Sequence, residues 1–145
     1  MIKKLTSVKK GQSLVELTLT ITFMMFLLLA TIDFGFAFLY WITIRDAAQE
    51  GAMYGSLHPG TGCEATLRNW VRDAADSPIV DISGLSDAQI LITRGGSTPG
   101  SAIKVQINHQ YHILTPMIPV FTGTEDITIS ASISDTILQV DPDCP

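Results

Sequence analysis

Two acidic residues border or interrupt a long apolar segment near the N-terminus of this 145-residue chain. The segment runs from Leu17 to Ile44. Glu16 directly precedes it, and Asp33 is the only charged side chain within it. A carboxylate in or near a bilayer is costly unless it finds a partner, so each acid is a candidate functional residue. Neither belongs to a catalytic motif, and we expect them to take part in binding or assembly.

The other residues able to do chemistry do not form a recognisable site. His109 and His112 are three apart on a predicted strand, so they point to opposite faces and do not converge on a metal. Ser, His and Asp do not occur in a nucleophile motif, and the glycine-rich stretches lack the lysine of a phosphate-binding loop. A calcium site among the scattered loop acids stays open, although EF-hand spacing is absent. We predict no catalytic residue, no metal and no cofactor, and hence no enzyme.

The apolar segment is long enough to cross a bilayer, which requires about 20 residues. Four lysines and no acid occur in the first eleven residues, which favours a cytoplasmic N-terminus with everything after Ile44 outside. The chain is therefore predicted to be a single-pass protein of the cytoplasmic membrane. These lysines are Lys3, Lys4, Lys9 and Lys10.

Net charge argues against a nucleic-acid partner. The formal net charge is −5, and because the first eleven residues carry +4, the remaining residues carry −9. Phosphate contacts need clustered Lys and Arg, which this acidic body lacks.

The residues Lys9-Lys10-Gly11-Gln12-Ser13-Leu14-Val15-Glu16 resemble a type IV prepilin leader. A signal-peptidase site of small residues after the apolar segment is not evident. The resemblance implies that a prepilin peptidase cuts between Gly11 and Gln12 and that the apolar segment is retained. It also implies that Glu16, fifth in the processed chain, contacts the terminal amine of a neighbouring subunit. The alternative is that Glu16 lies among lipid headgroups and contacts water.

Two further segments are similar to TadE-like proteins, the accessory pilins of tight-adherence (Tad, or Flp) pili. Ile32-Asp33-Phe34-Gly35-Phe36 resembles their "IDFGR" segment, and residues 46–55 resemble their "AAREGAR" segment, although Gln49 and Met53 stand where the family often has Arg. The C-terminal strands also resemble those of TadE-like heads. The resemblance implies a minor pilin or pseudopilin for Tad pilus assembly.

The implied partners are the membrane, other pilin subunits, the prepilin peptidase and the Tad secretion machinery. A membrane-anchored binding module that does not polymerise is the alternative function. A type II secretion pseudopilin would share the leader but lack the two internal segments.

Helix geometry places Asp33 near the outer face of the membrane. It follows Gln12 by 21 residues, about 31 Å along a helix, and the hydrocarbon core is about 30 Å thick. We therefore expect a membrane segment at about residues 14–32. Asp33 is then either a structural acid at the interface or a contact for another subunit.

The chain divides into a leader (1–11), a long helix (12–57) and an extracytoplasmic head (58–145). Gly51 and Gly55 allow a backbone to approach the helix closely, and we expect packing against the protein's own head rather than against another helix. The sequence predicts a short amphipathic helix over Glu64–Ala75, whose apolar stripe includes Trp70.

Strand-like segments follow at Gln89–Thr93, Ala102–Tyr111 and Ile127–Ile137, and the last two alternate between apolar and polar residues. The fold class is therefore α+β and pilin-like: a long transmembrane helix, a short helix and a small antiparallel sheet.

The two cysteines of the chain, Cys63 and Cys144, both fall on the predicted outside, where disulfides form. Pairing them would close a loop of about 80 residues, which the chain-entropy model values at about 4–5 kcal/mol. Two unpaired thiols are the alternative.

Overall fold

A computed structural model describes residues 8–115 and 118–138 of the chain. It contains one long helix, a short helix and a three-stranded antiparallel sheet, which confirms the predicted α+β class. The elements are α1 (Val8–Leu57), a 3-10 turn (Thr61–Cys63), α2 (Glu64–Ala74), β1 (Ile90–Arg94), β2 (Ala102–His112), α3 (Ile118–Thr122) and β3 (Asp126–Thr136). Because α1 begins at Val8, the helix runs through the predicted leader junction, and the boundaries of the leader and head stay predictions.

The sheet has the order β1-β2-β3, with β2 in the centre. All eleven residues of β2 pair with β3 in unbroken register, from Ala102 opposite Thr136 to His112 opposite Asp126. The predicted alternation is confirmed on the central strand, where Ile103, Val105 and Ile107 are fully buried. On β3, Ile129, Ala131 and Ile133 are only partly buried and Ile127 is exposed. This strand lies at the edge of the sheet, where fewer neighbours cover it.

The buried face of the sheet packs on the C-terminal half of α1. Buried helix residues are mostly small: Ala47, Ala48 and Ala52 are at most 1% exposed, and Ile44 is fully buried. Small side chains let the sheet approach the helix closely, so branched residues of β2 fill the space between them. No other part of the described chain covers the N-terminal half of α1 in this way, and its apolar side chains are exposed.

Backbone contacts fix both ends of the sheet along α1. At one end the amide of Leu138 donates to the carbonyl of Ser56 at 3.0 Å, and at the other the segment after β2 contacts Asp33. The 23 residue steps from Asp33 to Ser56 span about 34 Å of helix. The ten residue steps of β3 span about the same length, so the strand and the helix match from end to end.

Gly51 and Gly55 lie where the head is closest to α1. A Cβ atom at Gly51 would collide with Cγ2 of Val71, and one at Gly55 would collide with Cδ1 of Ile103 and lie 2.9 Å from Cδ1 of Leu67. The expected packing of these glycines against the protein's own head is confirmed.

Helix α2 places Leu67 and Val71 in the core, but Trp70 is 49% exposed. Trp70, which the sequence places in the apolar stripe, is therefore only half-buried. Its indole lies at the rim of the stripe and stacks on the ring of Tyr54, with centroids 5.4 Å apart. The stripe is too narrow to cover a side chain of this size at its edge.

Replacing Gly51 with Ala should destabilise the head. Overpacking costs about 1–3 kcal/mol, and the better helix propensity of Ala offsets up to about 1 kcal/mol of this. Thermal unfolding of the full chain in detergent micelles, followed by near-ultraviolet circular dichroism, should show a lower Tm. Gly35→Ala is the matched control, since a Cβ there meets nothing within 4 Å and the Tm should stay equal or rise. Equal Tm values for Gly51→Ala and Gly35→Ala would contradict the close approach.

Candidate membrane-anchoring and assembly site

The predicted processing junction lies on an exposed turn of α1. Gly11 and Gln12 are both exposed, and a Cβ at Gly11 would meet no atom of the described residues within 4 Å. Packing within the described chain therefore gives no reason for a glycine at this position. One helical turn later, the Nε2 amide of Gln12 donates to Oε1 of Glu16 at 3.0 Å. Glu16 is exposed, and about 25 Å of helix separates it from Asp33.

Between these two acids, α1 presents an uncovered apolar surface. By length and composition α1 is long and apolar enough to cross a membrane. Its 18-residue apolar stretch has a mean hydropathy of 2.1, and 0% of that stretch is buried. The chain thus fits a single-pass membrane anchor. The exposed apolar residues of this segment include Leu17, Leu19, Ile21, Phe23, Met24, Met25, Leu27 and Leu28.

The threonines of this segment suit an apolar environment because their hydroxyl groups are satisfied within the helix. Thr18, Thr20, Thr22 and Thr31 each donate to the carbonyl four residues earlier, at 2.7–2.8 Å. An unsatisfied donor in the bilayer core costs several kcal/mol, and this bonding removes that cost.

Asp33 links the membrane segment to the head. Its carboxylate is only 4% exposed, and each oxygen accepts one backbone amide. The amide of Leu114 donates to Oδ1 at 3.0 Å, and the amide of Thr115 donates to Oδ2 at 2.9 Å. Hydrogen bonds to an ionised acceptor are stronger than neutral ones, so the carboxylate clasps the segment that follows β2. We call this arrangement the Asp33 clasp.

Further polar contacts surround the clasp. The hydroxyl of Tyr111 lies 3.5 Å from Oδ1 of Asp33, and the hydroxyl of Thr115 lies 3.5 Å from the carbonyl of Leu29. Burial and the nearby Asp33 charge raise the pKa of Tyr111, so its hydroxyl stays protonated and can donate. The ring of Tyr40 meets that of Tyr111 edge to face at 5.1 Å. The clasp therefore lies beside the aromatic rings of Tyr40 and Tyr111.

For Asp33, the sequence left open a structural role or a contact with another subunit. The structure supplies partners for both carboxylate oxygens within the same chain, which supports the structural role. No separate sequence signal marks the amides that donate to Asp33, because backbone amides occur at every non-proline residue. The nearest sequence indication was the resemblance of the C-terminal strands to those of TadE-like heads.

The two histidines of β2 occupy different environments. His109 lies on the inner face, stacked on Tyr40 with centroids 5.2 Å apart, and its Nδ1 is buried without a hydrogen-bond partner among the described residues. Burial lowers the pKa of His109. His112 is exposed and lies 2.9 Å from the carboxylate of Asp126. The described residues contain no group of three or more His, Cys, Asp or Glu that is arranged to hold a metal ion.

Cys63 is fully buried at the start of α2 and is not a free thiol. Its predicted partner, Cys144, lies outside the described residues. The Cys63–Cys144 bridge therefore stays a prediction.

Comparison with known proteins gives one family match. Residues 11–53 match the family model described as TadE-like protein. The match includes Gln12, Glu16, Asp33 and Gly51, and it confirms the resemblance over these residues, although it does not extend into the sheet of the head. Searches of curated proteins and of solved structures gave no match.

Asp33→Asn should weaken the clasp, because an amide offers one acceptor oxygen where the carboxylate offers two. Leaving a buried backbone amide unsatisfied costs about 2 kcal/mol, equivalent to a roughly 30-fold change in an equilibrium constant. The rate of hydrogen exchange at the amides of Leu114 and Thr115 should rise by up to about 30-fold. Asp46→Asn, at an exposed position of the same helix, should leave the exchange unchanged. Unaltered protection in Asp33→Asn would mean that the clasp does not hold the segment.

The stability of the head should fall at acidic pH through His109. Its folded pKa lies below the usual 6.5, so below about pH 6.5 the unfolded chain takes up a proton that the folded chain resists. Stability is thus complete above that pH and is lost as the pH falls towards the folded pKa. Tm measured against pH should show this slope, and His109→Gln should reduce it. Asn108→Gln, on the polar face, should keep this dependence of Tm on pH. An identical slope in the unsubstituted chain and in both variants would refute the role of His109.

Proposed function

We propose that this chain, with its TadE-like residues 11–53, is a minor pilin or pseudopilin that serves as a structural subunit for assembly of a tight-adherence pilus. Its N-terminus lies in the cytoplasm, α1 anchors it in the cytoplasmic membrane, and the head lies outside. The observation that carries this proposal is the division of one continuous helix. Its N-terminal half is apolar and uncovered, while its C-terminal half forms the core of a folded head.

An uncovered apolar helix half explains how such a subunit can occupy two environments. Each fully buried Leu, Ile or Phe gains about 1.5–3 kcal/mol relative to exposure in water, so this half stays in lipid unless another apolar surface replaces the lipid. The helices of neighbouring pilin subunits offer such a surface. Extraction from the membrane is therefore coupled to lateral association with other subunits, and the assembly machinery supplies the work.

Glu16 is proposed to set the register of that association. Cleavage between Gly11 and Gln12 by a prepilin peptidase frees an amine on the same exposed part of the helix. In the uncleaved chain, Gln12 satisfies one oxygen of Glu16 and leaves the other available. An amine from an adjacent processed subunit can pair with the carboxylate, and an apolar surrounding strengthens this attraction relative to water.

The Cys63–Cys144 bridge is proposed to close the head after export. The head is small and has a modest core, so a covalent link between its first turn and its C-terminus would add resistance to unfolding. Cys63 lies at the start of α2, next to the tightly packed end of α1.

Processing distinguishes the pilin from a simple membrane-anchored binding module. Co-expression with a prepilin peptidase should yield a chain that lacks Met1–Gly11 and begins at Gln12, as determined by intact mass and N-terminal sequencing. Gly11→Val should remain full length because peptidase recognition is lost. Gly35→Val, a glycine substitution outside the junction, should still be processed. Only full-length chain in the presence of active peptidase would favour the binding module.

Glu16→Gln should separate assembly from processing. The variant keeps the shape of the side chain but loses the charge, so we expect normal cleavage and membrane insertion with reduced incorporation into pilin complexes. Cross-linking of membranes followed by immunoblotting measures the incorporation. Glu50→Gln, an exposed acid of α1 outside the apolar half, is the control and should assemble normally. Equal incorporation of both variants would remove the proposed role of Glu16.

A further inference from the structure

An uncovered apolar surface lies at the base of the head, beside the Asp33 clasp. It combines residues from α1, from the segment after β2, from α3 and from β3, which are separated in sequence and meet only in the fold. We call this surface the basal patch. Phe34 (74% exposed), Ile127 (38%) and the partly buried Ile118 line one groove, and the exposed Leu114 (61%) and Val120 (78%) lie within two residues of Ile113 and Ile118, which also line it.

We propose that the basal patch inserts into the outer leaflet of the membrane and forms a second contact with lipid beside the transmembrane helix. This inference rests on the proposed membrane insertion of α1. The chemistry of the partner is that of lipid acyl chains at the level where they meet the headgroups.

The position of the patch along α1, measured against the thickness of the bilayer, supports a contact with lipid. Leu29 follows Leu14 by 15 residues, or about 22 Å of helix, which is less than the hydrocarbon thickness of about 30 Å. Thr115 contacts the carbonyl of Leu29, and Leu114 bonds to Asp33. If Leu14 lies at the inner edge of the hydrocarbon, the segment after β2 reaches the outer edge of the hydrocarbon.

A groove within the patch has the character expected of a lipid contact. It encloses about 260 Å³ between α1 and the head and is lined mainly by apolar side chains, including Ala30, Phe34, Ile118 and Ile127. One helical turn before Ala30, the side chains of Phe26 and Leu27 are exposed on α1. Lipid around the helix therefore borders the groove directly.

Charge favours acyl chains over anionic headgroups as the partner. The ionisable groups that border the patch on the described residues are Asp33 and Tyr111 at the clasp, and Glu125, His112 and Asp126 beyond Leu114. The patch itself contains no Lys or Arg, so attraction to lipid phosphates does not explain it. Contact by apolar insertion needs no basic residue.

Fluorescence quenching by brominated lipid tests the proposal in the full chain. Trp41→Phe and Trp70→Phe remove the native tryptophans, and one new tryptophan is then introduced as Val120→Trp. The chain is placed at one copy per nanodisc of phosphatidylcholine with or without bromine on the acyl chains near the glycerol. Phe26→Trp marks the membrane span, and Ser132→Trp marks the exposed polar face of β3. Hydrogen exchange at Leu114 and Thr115 verifies that the fold is retained.

Val120→Trp should lose fluorescence to the brominated lipid, as Phe26→Trp does, while Ser132→Trp should not. If Phe26→Trp is quenched and Val120→Trp behaves like Ser132→Trp, the basal patch does not touch lipid, although the anchor is correct. If Phe26→Trp is not quenched, the membrane span and this inference both fail. Burial of Val120→Trp that arises only with two copies per disc would identify a second copy as the occupant and overturn the lipid assignment.

Discussion

A single helix has to satisfy two different surroundings along its length, and the rest of the structure follows from this constraint. From Leu14 to Ile32 the surface of α1 is mostly apolar and exposed. From Ile44 to Ser56 one face of the same helix is buried against the sheet and α2. Because the helix is unbroken from Val8 to Leu57, a displacement of one half is transmitted to the other. The head is therefore held at a fixed distance along the helix axis from the N-terminal half of α1.

The Asp33 clasp lies where these two halves meet. The carboxylate is almost fully buried, and two backbone amides of the head neutralise part of the cost of burying it. Towards the C-terminus, Gly51 and Gly55 bring the sheet and α2 against the helix, and the Leu138–Ser56 hydrogen bond closes the far end. The sheet is thus held at both ends and in the middle, which makes its position on the helix specific.

The arrangement agrees with the proposed assembly role. The described polar groups with special environments, Asp33, Tyr111 and His109, are engaged in joining the head to the helix. The large surface without a partner is instead apolar and belongs to α1 and the base of the head. Surfaces of this kind are covered by lipid or by other subunits, and the TadE-like match over residues 11–53 agrees with such a role.

Local patterns in the sequence determined the elements of this protein. Apolar length predicted the anchor, alternation in Ala102–Tyr111 predicted the buried face of β2, and the spacing of Gly51 and Gly55 predicted close packing, because each depends on residues that are near in sequence. Contacts between distant segments were decided only by the tertiary structure. The amides of Leu114 and Thr115 carry no recognisable sequence signal, and they reach Asp33 because the sheet packs along α1 with the end of β2 beside this residue. The exposure of Trp70 and the assembly of the basal patch were also decided there, since burial depends on which surfaces the folded chain brings together.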